Sequence, residues 1–205
     1  MTPIYEPQLQ PVEIARLRPT QITVGYLEVE EKRREWRKHA KKNGGEFLGH
    51  HMVPTVIGPK GQPYLVDHHH LVCALHQENV EHVLTSTVFD LSHLGKDEFW
   101  SVMDHRHWMY PFDAKGVRQS HKDLPKTVAD LLDDPYRSLA GALRRAGGYA
   151  KDATPYSEFM WADFLRFRID AKLIEQDMGQ ALKAALKLSH GNAASFLPGW
   201  CGVSD

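Results

Sequence analysis

A chain of 205 residues, 42% apolar and with a formal net charge of −1 (histidines neutral), can build one sizeable core or a core plus a small appended domain. The balanced charge gives no global basic field and weighs against a dedicated DNA-binding protein. Two distant cysteines, Cys73 and Cys201, exclude a disulfide framework and a zinc ribbon. No apolar run approaches membrane-spanning length, and the N-terminal MTPIYEPQLQ lacks a charged-then-apolar leader. A soluble cytoplasmic protein with no membrane partner is expected.

Residues 27–42 read as a helix stopped by Asn43-Gly44-Gly45, where a left-handed residue suits the C-terminus. Acids (Glu28, Glu30, Glu31) lead and bases (Lys38, Lys41, Lys42) trail, as the helix dipole prefers. Its cluster of Lys32, Arg33, Arg34, Arg37 and Lys38 reads as a solvated face laced with pairs such as Glu30 with Arg34. No other basic face stands out, so duplex DNA binding is expected to be weak.

A Pro-containing strand over residues 53–57, a turn Gly58-Pro59-Lys60-Gly61 and a second strand over 64–66 follow. A helix then opens at His68-His69-His70, and residues 83–91 form the next strand. Residues 96–110 look helical or half-helical. His105 and His107 there share a metal only if the backbone is extended, because on a helix they diverge by about 200°. Residues 116–125 form a polar connector that divides a core domain, 1–115, from a helical C-terminal subdomain, 116–205. In the latter, 124–132 predict a short helix, and Pro135 opens another, capped by Asp134 or Asp133 and closed by Gly147-Gly148. Trp161, Phe164, Leu165 and Ile169 form a core stripe, and Met178, Leu182 and Ala185 continue it in the last helix.

The strand-to-helix junction Val66-Asp67-His68-His69-His70-Leu71 is where chemistry would sit. Such a junction presents backbone N–H groups and the positive end of a helix dipole, which favour phosphate. Asp67, His69 and His70 supply a carboxylate and imidazoles able to bind a metal or move protons near neutral pH. Three consecutive side chains diverge, so at most two share one point.

This order of strand, glycine turn, strand and box resembles the ParB/sulfiredoxin superfamily. Within it, the ParB-like nuclease branch carries Asp-Gly-His-His where partition proteins have a basic Gly-Glu-Arg-Arg box. Leu17-Arg18-Pro19-Thr20-Gln21 and Val24-Gly25 share the likeness. The resemblance implies an α+β fold: a small mixed sheet with helices, followed by an all-helical C-terminal part. It also implies catalytic roles for Asp67, His69 and His70, and a substrate-facing side formed by Thr20, Gln21, His68 and Lys32. Two positions depart: His68 replaces the usual glycine, and Leu71 replaces an arginine that would fork a phosphate.

The resemblance thus implies an enzyme acting on a phosphate ester, either a nuclease-like phosphodiesterase or a nucleotide-dependent phosphoryl transferase or hydrolase. A divalent metal held by His69, His70 and Asp67, or a nucleotide, are the candidate cofactors. The candidate partners are a phosphate-bearing small molecule or a nucleic acid, and a homo-oligomer is compatible. A DNA-binding accessory protein with a vestigial box is the alternative. A sulfiredoxin-like enzyme is disfavoured, because Cys73 comes several residues past the box.

Overall fold

β-Branched and apolar residues at Val53, Val56 and Ile57 build a central strand, with Val53, Thr55, Val56 and Gly58 buried. In the computed structural model, which describes residues 9–203, that strand sits mid-sheet. Residues 1–8, most of the stretch read for a leader pattern, fall outside the described residues. The strands are β1 (Leu9–Glu13), β2 (Arg18–Pro19), β3 (Thr23–Val24), β4 (Val53–Gly58), β5 (Gln62–Leu65), β6 (His82–Asp90) and β7 (Leu132–Asp133). Five of them form one mixed sheet in the order β1-β6-β4-β5-β2. Pairs β1–β6 and β4–β5 are antiparallel, whereas β4–β6 and β2–β5 are parallel, with Arg18 opposite Tyr64 and Pro19 opposite Leu65. The architecture is α+β.

The helices are α1 (Tyr26–His50), α2 (His69–Gln77), α3 (Lys96–His105), α4 (Pro135–Arg145), α5 (Ser157–Arg166), α6 (Ala171–Gln176) and α7 (Met178–Ser189). The chain divides into two units, one holding Val29–Asp113 and Val117–Leu132 with the chain up to Thr23. The other holds Asp133–Asp205 together with Val24–Glu28 and Ala114–Gly116.

In the first unit, α1 breaks at Asn43 (φ −148°, ψ 36°), within the expected Asn-Gly-Gly stop. Helical backbone resumes beyond it, so the predicted end is a kink. Trp36 and Phe47 bring their rings to 5.5 Å, although eleven residues of straight helix span about 16 Å. The two segments therefore fold back on each other, and Gly44 meets the Trp36 ring. α2 is buried at Leu71, Val72, Cys73, Ala74 and Leu75 in succession, the pattern of a helix enclosed on all sides. Phe99, Trp100 and Met103 of α3 pack with Ile22, Val56 and Leu91 in one core. Gly58 is required there, since a Cβ would lie 2.6 Å from the Tyr64 ring and 2.8 Å from Phe99. In place of the helix expected over 124–132 the chain makes a single 3-10 turn, Val128–Asp130, before β7 begins at Leu132, and another 3-10 turn, His121–Asp123, lies just upstream of Pro125. Each turn is closed by its own capping box (Ser120 with Asp123, Thr127 with Asp130), which leaves no run long enough for an α-helix.

The second unit has its own core, centred on Trp161, Leu139, Leu143 and Leu165. Tyr149 stacks on Trp161 at 4.4 Å. Asp134 caps α4 by accepting from Tyr136 N, and the buried carboxylate pairs with Arg166 at 2.7 Å. Asp133 is the anchor instead, accepting from Tyr26 N at 2.7 Å. Leu27 N donates to Ser138 Oγ, and Glu28 pairs with Arg145 at 2.6 Å. Among the described residues, no helix is long and apolar enough to cross a membrane.

Candidate active site at the strand-to-helix junction

β5 ends at Leu65, and Val66 N still donates to Pro54 O before the chain leaves the sheet. Asp67 is exposed, and its Oδ1 accepts from His68 N at 2.6 Å. His68 then takes the left-handed conformation (φ 65°, ψ 24°) that turns the extended chain into α2. Glycine adopts that conformation without a Cβ penalty, which explains the glycine usual at this place in the box. His69, 5% exposed, is the first residue of the helix. Its Nε2 accepts from Thr20 N at 3.2 Å, while Thr20 Oγ1 donates to Leu65 O at 2.7 Å. An accepting Nε2 places the ring proton on Nδ1 of a neutral imidazole. His70 follows half-buried in the first turn, and Leu71 is a core residue.

The family model described as “Putative ParB-like nuclease” matches residues 10–167. The chain belongs to this ParB-like nuclease family. The crystal structure of protein Atu1540 from Agrobacterium tumefaciens is similar throughout, with 60% identity and a TM-score of 0.91. The match covers 97% of this chain and 100% of that one. No functionally curated protein matches the chain.

In this ParB-like chain the fold brings Thr20 to His69 across 49 residues of sequence. Gln21, also buried, bridges to Tyr110, whose N–H donates to Thr20 O at 2.7 Å. The segment Thr20-Gln21 is therefore held from both sides, and Tyr110 is a support that the sequence did not single out. Lys32, expected on the substrate-facing side, pairs with Glu35 at 2.8 Å. That contact holds the Glu35 carboxyl below its ordinary value. Arg33 and Arg37 both grip Glu78 at the end of α2, a tertiary clamp beyond the expected Glu30–Arg34 pair. His105 ends α3 and His107 is left-handed, so the extended backbone needed for a shared metal is absent. Among the described residues, no three His, Cys, Asp or Glu side chains group to hold a metal ion. Burial pushes the Cys73 thiol up to about 11, which suits a packed side chain and not a nucleophile.

The ParB-like core also carries a basic cleft of about 410 Å³ that the sequence did not disclose. Arg18, Lys60, Lys96, Lys122 and Lys126 line it, so the helix over 27–42 is not the only basic face. These cations come from four separate segments, and the even overall charge hides their convergence. Neither Asp67, His69 nor His70 lines this cleft.

Proposed function

We propose that the chain hydrolyses a phosphate ester, as a nuclease-like phosphodiesterase, at the junction of β5 and α2. The observation that carries this reading is the split of the box. His69 is spent on Thr20, while the Asp67 carboxylate is exposed and His70 lies in the first turn of a nine-residue helix. The N–H groups of that turn favour a phosphoryl oxygen. His70 acts as the general base, taking the proton of the attacking water as its oxygen bonds to phosphorus. The ester P–O bond breaks, and the leaving oxygen gains a proton from solvent or the site. Asp67 orients the water or the imidazole, and His69 is a positioning residue that fixes Thr20 and Gln21 beside the site. Family membership supports phosphodiester chemistry over a sulfur substrate, as does the buried Cys73.

The test is hydrolysis of bis(4-nitrophenyl) phosphate and of a short single-stranded oligonucleotide by wild type, Asp67→Asn and His70→Ala. Both substitutions are expected to lower turnover by about 10²–10⁴ with the thermal midpoint kept. Wild-type turnover in both variants would reject the box as the site. A chelator arm sorts the roles: loss of activity restored by added Mn²⁺ would make Asp67 and His70 metal ligands.

A further inference from the structure

The basic cleft invites a question separate from turnover. Its five cationic side chains are unaccompanied by any carboxylate in the lining. Arg18 is tethered by its own donation to Lys126 O at 2.9 Å, so its guanidinium is already placed. Lys60 sits at φ 63°, ψ 21° within the Pro59–Gly61 turn, a left-handed conformation that L side chains disfavour. His121 stacks on Trp100 at 5.0 Å and 19°, and its buried Nε2 has no hydrogen-bond partner among the described residues. Pro19, Pro59 and Pro125 stiffen the walls.

We propose that this cleft is a binding site for a compact polyanion with two or more phosphate groups, of tripolyphosphate size. The volume lies within the range of small-molecule pockets. Several cations around so small a space reward dense charge above a single phosphate. The tethered arginine and stiff walls lower the ordering cost of binding. The site stands independently of the proposed hydrolysis, because it contains none of the box residues.

Isothermal titration of the full chain with orthophosphate, pyrophosphate and tripolyphosphate tests it. Saturable one-to-one binding is expected that tightens with each added phosphate and weakens with salt. The exposed double variant Lys60→Glu/Lys96→Glu should lose affinity about tenfold or more. The matched pair Lys41→Glu/Lys42→Glu, on α1 and outside the cleft, should bind as wild type. Absence of saturable tripolyphosphate binding, or equal loss in the α1 control, overturns the proposal. A single-stranded oligonucleotide that binds more tightly than tripolyphosphate, and is released by the cleft substitutions, would overturn it in favour of nucleic acid.

Discussion

His69 Nε2 accepts the backbone N–H of Thr20 at 3.2 Å, joining the start of α2 to the segment that follows β2. A residue read from sequence as catalytic thereby has a structural occupation. Thr20 is 2% exposed, so no water stands ready to replace the imidazole. His69→Ala is expected to cost about 1–3 kcal/mol, the penalty of an unsatisfied buried donor, measured by urea denaturation. Unchanged stability would show that this contact is not what holds the two segments together.

His68 makes the opposite forecast. Its left-handed backbone costs an L residue about 1–2 kcal/mol, partly offset by the greater freedom that glycine has when unfolded. His68→Gly should therefore raise stability by about 0.5–1 kcal/mol, and His68→Val should lower it. A loss of stability in the glycine variant would show that the His68 side chain outweighs the backbone strain.

Glu78 gives a pH signature. Hydrogen bonds from Arg37 hold its carboxyl below the ordinary 4.5, with burial opposing and Arg33 adding to the lowering. A lowered folded value means stability that is complete above 4.5 and lost as pH falls through the folded value. Glu78→Gln should thus cost about 1 kcal/mol at neutral pH, modest because Arg37 is half exposed. The gap between wild type and variant should close as the medium is acidified. A gap independent of pH would assign the effect to packing.

The two cysteines should separate cleanly with a thiol reagent. Cys201 is exposed, whereas Cys73 is buried with its thiol pushed up to about 11. One equivalent should react quickly in the native chain and the second only on unfolding. Rapid loss of both would mean that α2 opens readily.

Local signals made much of this fold legible. Asp134-Pro135 marked a helix start because capping and a fixed proline φ act within three residues. Asn43-Gly44-Gly45 marked a real break, but not that helix would resume, since the ring contacts among Trp36, His39 and Phe47 are tertiary. Residues 124–132 misled because their apolar spacing suits a helix, while the Thr127–Asp130 capping box closes the backbone into a single 3-10 turn. The box was visible as composition, yet the separate role of His69 depends on Thr20, remote in sequence. The cleft was illegible for a similar reason: Arg18, Lys60, Lys96 and Lys122 are single cations in four segments, and only the fold sums them.

The helical unit borrows Val24–Glu28 from far upstream, and this sets an order on its birth at the ribosome. Leu27 meets Ser138 across 111 residues, and Tyr26 meets Asp133 across 107. At translation rates of about 5–20 residues per second, the early segment waits roughly 5–20 s for its partners to be made. The strands around β4 can be complete long before then, while Gly25, Tyr26 and Leu27 are held in reserve. The piece of the helical unit that is synthesised first cannot dock until Asp133 and Ser138 have followed it off the ribosome.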